Sequence, residues 1–86
     1  MFIISGEKGT GKTRALLERA SAEGGTVVCK DPEAMRVRAH KYGIVGLDIK
    51  GYGDAYSAGR PVYIHDINKF IEYGLPEAAG YTLNLD

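Results

Sequence analysis

Eight consecutive residues near the start of the chain combine glycines, a lysine and a hydroxyl in an order that suits phosphate binding. They follow the pattern G-x-x-x-x-G-K-[ST], which describes a loop that wraps a phosphate chain and leads into a helix. The residues are Gly6, Glu7, Lys8, Gly9, Thr10, Gly11, Lys12 and Thr13. The glycines let main-chain N–H groups approach anionic oxygens. We expect Lys12 to contact the β- and γ-phosphates and the Thr13 hydroxyl to bind Mg²⁺.

The residues on either side of this loop have the patterns that a phosphate-binding loop requires. Phe2, Ile3 and Ile4 form a short apolar run that predicts a buried parallel strand. Residues 13–23 are rich in helix formers, and their apolar positions fall on one stripe. Because a helix N-terminus carries partial positive charge, this helix would direct it at the bound phosphates.

A second motif combines an apolar run with an acid, in the stretch Pro61, Val62, Tyr63, Ile64, His65 and Asp66. A carboxylate that follows a buried strand is well placed to hold Mg²⁺ beside the phosphate loop. If the strand runs through His65, Asp66 is the magnesium ligand. If the strand ends at Ile64, His65 takes the place of the usual acid and Asp66 that of a following catalytic acid. Hydrolysis is then in doubt, because a neutral imidazole is a poor partner for magnesium. In a third interpretation Asp66 is the N-cap of the next helix.

The remaining segments predict alternating strands and helices. Residues 26–29 are mostly β-branched and predict a strand, in which Cys29 is a small buried residue. Gly24 and Gly25 suit the end of the preceding helix. Asp31 and Pro32 predict the start of a helix that runs to about residue 42. Residues 67–73 predict a short helix, and the alternating residues 81–85 predict a final strand.

Residues 43–60 form the longest segment without a clear pattern, and they contain five glycines, at positions 43, 46, 51, 53 and 59. Residues 44–45 and 47–49 suggest short extended pieces, and residues 54–58 suggest one helical turn. Long connections in compact domains often carry function. The segment is either a switch or partner-binding element, or a loop that covers one face of the sheet.

Length and composition limit the classes of protein to which the chain can belong. At 86 residues the chain predicts a single domain, residues 1–86. Eleven basic and eleven acidic residues balance, so overall charge gives no indication of nucleic-acid or membrane binding. The single cysteine fits a reducing compartment, and we expect a cytoplasmic protein. No apolar run suits a membrane span, and a strand at residue 2 leaves no room for a signal peptide.

Residues 6–13 and 62–66 together resemble the Walker A and Walker B motifs of the P-loop NTPases. The order of the predicted elements resembles the additional-strand group of that class, which includes the AAA+ and RecA-like ATPases. In that group a polar residue near the end of the strand after Walker B senses the γ-phosphate, and the resemblance implies that Asn84 or Thr82 takes this role. The stretches PVYIHDINKFIEYG and GYTLNLD are similar to tiny P-loop ATPases encoded by bacteriophages. The chain is shorter than ordinary members and lacks a recognisable lid or arginine-finger motif.

The expected fold is a three-layer α/β/α P-loop core whose small, mostly parallel sheet has about four strands. The expected function is binding of ATP or another nucleoside triphosphate with Mg²⁺, and weak hydrolysis, in the DNA metabolism of a phage or mobile element. Asp66 would orient the metal, and His65 or Asp66 would position the attacking water. If the protein is phage-encoded, it would act in the host cytoplasm.

Two other functions stay open at this stage. In the first, the chain is a non-enzymatic, nucleotide-gated module that binds a replication protein or DNA through residues 43–60. In the second, it is a small kinase, although the length leaves little room for an acceptor pocket. A homo-oligomer would allow an arginine from a neighbouring subunit to reach the phosphates; the candidates are Arg36, Arg38 and Arg60.

Overall fold

The computed structural model of the chain describes residues 11–54, 59–77 and 79–80. Within these ranges the order of elements is α1 (Lys12–Glu23), β1 (Thr26–Cys29), α2 (Pro32–Lys41), β2 (Asp48–Gly51), β3 (Val62–Ile64) and α3 (Ile67–Gly74). The three predicted helices and the predicted strands at β1 and β3 are therefore present, with ends close to those expected. The predicted strands at residues 2–4 and 81–85 lie outside the described residues.

The described strands form one parallel sheet in the order β2-β1-β3. In the central strand, Val27 lies opposite Ile49 of β2 on one side and opposite Tyr63 of β3 on the other. Parallel neighbours cannot be joined by a tight hairpin, and α2 accordingly makes the crossover from β1 to β2. This confirms an α/β class with a parallel sheet, and a fourth strand and a third layer stay predictions.

The core lies on one face of β1. Val27 and Cys29 share this face, and Thr26 and Val28, which are also buried, lie on the other. The other members of the cluster come from α1, α2 and β2, and they are Leu17, Ala20, Met35, Ala39 and Ile49. Because residues of both helices belong to the same cluster, α1 and α2 pack side by side on this face of the sheet.

The opposite face of β1 carries Thr26, which is polar, and Val28, which is apolar. Thr26 is fully buried, and its hydroxyl donates a 2.7 Å hydrogen bond to the carboxylate of Asp48. This bond lowers the pKa of Asp48 below its ordinary value. Arg60 and Lys50 each place a nitrogen 3.7 Å from the same carboxylate. The buried hydroxyl is therefore satisfied by a charged acceptor, which joins the first residues of the two strands.

The helix ends follow their sequence signals. Asp31 is the N-cap of α2, and its side chain accepts a 3.2 Å hydrogen bond from the main-chain nitrogen of Ala34. Pro32 is the first residue of that helix, where its missing N–H costs nothing. Gly24 ends α1 in the left-handed conformation, with φ 66°. These predictions rest on local chemistry and are confirmed.

The segment from residue 43 to residue 54 differs in part from the prediction. The extended piece lies at Asp48–Gly51 rather than at residues 47–49, and residues 44–45 are not in a strand. Ile44 instead donates its N–H to the carbonyl of Ala39 and packs against the core. The helical turn predicted at 54–58 falls mostly outside the described residues.

Cys29 is 1% exposed, and its thiol lies 3.7 Å from the carbonyl oxygen of Lys50. Burial raises the pKa of this thiol, as expected of a packing residue rather than a nucleophile.

Among the residues that the structure describes, no helix has both the length and the apolar character needed to cross a bilayer.

Gly25 is the position where the fold leaves no space for a side chain. A Cβ atom there would lie 2.8 Å from the carbonyl oxygen of Pro61 and 2.7 Å from the ring of Tyr63. We expect Gly25→Ala to lower the free energy of unfolding by about 1–3 kcal/mol, as for other overpacked sites. Urea denaturation followed by circular dichroism measures this.

Gly74→Ala is the matched control, because a Cβ atom at Gly74 meets nothing within 4 Å. Its expected effect is within about 0.5 kcal/mol of zero. Equal losses for the two variants would contradict the close approach of β3 to Gly25.

Candidate functional site

The first turn of α1 and the residue after β3 meet at the edge of the sheet where the strands end. The hydroxyl oxygen of Thr13 lies 3.2 Å from Nε2 of His65. At the other end of α1, Glu23 accepts a hydrogen bond from the hydroxyl of Tyr63, so α1 runs antiparallel to β3. The end of the first sequence motif and the end of the second are therefore neighbours in space.

The extent of β3 decides between the first two interpretations of the second motif. The strand ends at Ile64. His65 follows it directly, and its N–H donates a 2.9 Å hydrogen bond to the carbonyl of Val28, which extends the pairing with β1. His65 therefore takes the place in which the acid was expected, and Asp66 comes one residue later.

Asp66 is the N-cap of α3, as in the third interpretation. Its Oδ1 lies 3.5 Å from the main-chain nitrogen of Lys69, and its Oδ2 lies 3.8 Å from the Lys69 ammonium. Its backbone is left-handed, with φ 61°, which is costly for a residue with a side chain. These contacts direct the carboxylate towards α3, and a role for Asp66 at a metal stays a prediction.

The surroundings of His65 favour the neutral form of its ring. Burial of the ring lowers the pKa of His65 below the ordinary value of 6.5. The carboxylate of Asp66 acts in the opposite direction, and the positive charges of Arg38 and Lys69 add to the lowering. A neutral imidazole has one donor and one acceptor nitrogen, and the Thr13 hydroxyl can pair with either.

Tyr52 fixes the turn between β3 and α3, a role that the sequence analysis missed. Its hydroxyl donates to the carbonyl oxygens of His65 and Asp66, at 2.7 Å and 3.2 Å. Its ring meets Phe70 edge-on at 5.3 Å and lies 6.0 Å from Tyr73. Burial, with the nearby Asp66 charge, raises the pKa of Tyr52 to about 12, so it remains a donor. In the sequence, Tyr52 stands out only as a tyrosine that follows Gly51 in a glycine-rich segment.

The structure describes the last three residues of the predicted phosphate loop, Gly11, Lys12 and Thr13. Gly11 is the N-cap of α1 with φ 78°, a left-handed conformation that glycine adopts without strain, and Lys12 is the first residue of that helix. The N-terminus of α1 therefore lies at the same edge of the sheet as His65. The other residues predicted to contact nucleotide or its γ-phosphate lie outside the described residues, and they are Gly6, Glu7, Lys8, Gly9, Thr10, Thr82 and Asn84.

Arg36, Arg38 and Arg60, the arginines predicted to reach the phosphates of a neighbouring subunit, differ in their surroundings. Arg36 pairs with Glu33 and donates a 3.1 Å hydrogen bond to the carbonyl of Ile49, so it ties α2 to β2. Arg60 lies by Asp48 at the opposite edge, where the strands begin. Arg38 is the one of the three whose charge acts on His65.

Among the described residues at this edge, few side-chain oxygens are available to Mg²⁺, and magnesium binding stays a prediction. Magnesium takes oxygen ligands in near-octahedral geometry. Thr13 offers one hydroxyl oxygen, but the group beside it is an imidazole nitrogen, and the carboxylate of Asp66 is directed to Lys69. Across the described ranges, no group of three or more His, Cys, Asp or Glu side chains could hold a metal ion together.

A cleft of about 310 Å³ lies at the other edge of the sheet. It is lined by the end of α1, including Ser21 and Gly24, and by Asp48 and Arg60. It therefore does not coincide with the predicted phosphate site.

No protein-family model matches the chain, and no curated protein or solved structure is significantly similar to it.

The lowered pKa of His65 predicts a pH dependence of stability. In the unfolded chain His65 takes up a proton near its ordinary pKa, whereas the folded protein takes it up only at lower pH. Between the two pKa values the unfolded state holds more protons, so the free energy of unfolding falls as the pH falls below about 6.5. Denaturation midpoints at about pH 7.5 and about pH 5.5 measure the loss.

His65→Gln should show a smaller loss over this interval than the wild-type protein, because the glutamine does not titrate. His40→Gln is the matched control, since His40 is an exposed residue of α2 and its replacement should leave the loss unchanged. A loss that His65→Gln does not reduce would contradict the assignment.

Tyr52→Phe removes the hydroxyl that bonds to the carbonyls of His65 and Asp66. We expect the free energy of unfolding to fall by about 1–2 kcal/mol, because partly buried carbonyl groups lose their donor. Tyr73→Phe is the control. Tyr73 is 61% exposed, and the expected change is within about 0.5 kcal/mol of zero. If both variants unfold at the wild-type midpoint, the Tyr52 hydrogen bonds do not hold this turn.

Proposed function

We propose that the protein binds a nucleoside triphosphate, with ATP as the first candidate, at the edge of the sheet where α1 begins. The single observation that carries the proposal is the contact between Thr13 and His65 at 3.2 Å. It brings the Gly-Lys-Thr sequence to the end of an apolar parallel strand, which is the relation that phosphate binding at this motif needs. A role in phage or mobile-element DNA metabolism rests on the sequence resemblance and belongs to the same proposal.

The local geometry favours an anion at this point. Gly11 is left-handed and Lys12 begins α1, so the main-chain N–H groups of the first turn and the lysine side chain belong to the same end of the helix. The helix dipole adds partial positive charge there. The charges that act on His65 are the carboxylate of Asp66 and the cations Arg38 and Lys69. The helix N-terminus and these two cations are the groups at this edge that would attract a triphosphate.

The function has two possible forms, a weak ATPase and a module that binds nucleotide without hydrolysing it. The described contacts favour slow or absent hydrolysis. Phosphoryl transfer depends on positioned charges that stabilise the transition state. The residue after β3 is a histidine rather than an acid, Asp66 caps α3, and Arg36 is engaged by Glu33 and Ile49. These contacts support the nucleotide-gated binding module over the weak ATPase.

Isothermal calorimetry with a non-hydrolysable ATP analogue and millimolar Mg²⁺ tests the proposal. Lys12→Ala should weaken binding roughly tenfold or more, because a cation paired with phosphate contributes more than 1 kcal/mol. Lys41→Ala, on an exposed lysine at the end of α2, should bind as the wild type does.

Absence of heat for the wild-type protein, with Mg²⁺ and with no added metal, would overturn the proposal. Phosphate release from ATP then separates its two forms. Binding without Lys12-dependent turnover indicates the module, whereas turnover that Lys12→Ala abolishes indicates the ATPase.

A further inference from the structure

Strand β2 lies at one end of the sheet that the described strands form, and its partner in that sheet is β1. The other side of β2 is therefore the outer edge of the described sheet. Main-chain N–H and C=O groups along such an edge can pair with a strand of another chain, which leads to association or aggregation. The outer edge of β2 is thus a surface that the protein must either use or shield.

The pairing of β1 identifies the groups of β2 that face this outer edge. The N–H of Thr26 bonds to the carbonyl that precedes β3, so the main-chain groups of the next residue, Val27, face β2. Val27 lies opposite Ile49. In a parallel pair a residue bonds to the two neighbours of the residue opposite it, so the main-chain groups of Ile49 face away from β1. Those of Gly51, two positions further on, face the same way.

Nearby residues of the chain bond to these outward groups. Arg36 of α2 donates a 3.1 Å hydrogen bond to the carbonyl of Ile49. Asp54 accepts a 2.6 Å hydrogen bond from the N–H of Gly51, and its own N–H donates to the Gly51 carbonyl at 3.1 Å. These groups, which a second strand would need, are therefore already bonded within the chain.

Arg36 is positioned for this contact from two sides. Its Nη1 pairs with Glu33, one helical turn earlier, while its Nη2 bonds to Ile49. About half of the arginine side chain is exposed, so the guanidinium lies over the edge rather than in the core. A strand that approached this edge would have to displace and desolvate the charges of Arg36 and Asp54, which disfavours pairing.

We propose that Arg36 and Asp54 shield the outer edge of β2 from pairing with β2 of a second copy of this chain. A second copy fits because the edge is self-complementary. Ile49 directs both its N–H and its C=O outwards, and opposed residues of an antiparallel pair exchange both of these bonds. Two such edges match about a twofold axis, the commonest symmetry of homo-oligomers. The inference does not depend on nucleotide binding.

Analytical ultracentrifugation over a range of protein concentrations tests the shield. The double variant Arg36→Ala/Asp54→Ala should form a dimer whose dissociation constant is roughly tenfold or more below that of the wild-type protein, because both copies gain unpaired edge groups. The control is Arg38→Ala/Glu72→Ala, which removes the same two charges from exposed positions on α2 and α3. It should associate as the wild-type protein does.

Amide hydrogen exchange locates the contact and includes a measurement on the wild-type protein alone. There the Gly51 N–H should exchange roughly tenfold or more slowly than in an unfolded chain, because Asp54 holds it. Asp54→Ala should lose this protection at low concentration and regain it, together with protection at Ile49, in the dimer. Asp54→Asn keeps an oxygen acceptor and should retain the protection.

Three outcomes would overturn the inference. The first is a double variant that associates no more than the wild-type protein, and the second is a dimer in which the Ile49 and Gly51 amides exchange as fast as in the monomer. The third is a wild-type Gly51 amide that exchanges at the unfolded rate. Should the double variant not fold, the same comparison is made between Asp54→Ala and Asp54→Asn, of which only Asp54→Ala should dimerise more tightly than the wild type.

Discussion

The complete burial of the central strand is the constraint on which the rest of the structure depends. All four residues of β1 are buried, and both neighbouring strands are parallel to it. Parallel strands end at one edge, so the segments that follow them must begin there. Lys12 and Thr13 reach this edge because α1 runs antiparallel to β3, and His65 reaches it because β3 ends there. The candidate site is thus a consequence of the topology rather than of any single motif.

The sequence was sufficient where a structure depends on its own neighbours in the chain. The Asp31 cap, the apolar β-branched residues of β1 and the left-handed Gly24 are local features, and each was predictable. The extended piece predicted at residues 47–49 only overlaps β2, because Ile49 alone among the four residues of β2 is buried and the strand has little apolar pattern. Its place is fixed by pairing with β1 and by the bond between Thr26 and Asp48, which are 22 positions apart.

The meeting of the two sequence motifs was predictable, but the position of each residue relative to the end of β3 was not. Whether His65 or Asp66 follows β3 depends on a difference of one position, which hydrophobic pattern does not resolve. Contacts distant in sequence decide it: the carbonyl of Val28 accepts from His65, and the Tyr52 hydroxyl holds the next turn. The hydrogen bonds of Tyr52 were not predicted, because a tyrosine in a glycine-rich segment gives no indication of which main-chain groups its hydroxyl will contact.

Tyr52 also gives a physical basis for a link between the site and the segment after β2. Its hydroxyl contacts the carbonyls of both residues in the β3–α3 turn, and its ring packs on Phe70 and Tyr73. A ligand that displaces the main chain at His65 must either break these bonds or move Tyr52 with the turn. Coupling between sites requires such a shared element with more than one arrangement. Asp66 lies in the same turn, and its left-handed backbone, which is costly for a residue with a side chain, is held by its N-cap contact with Lys69.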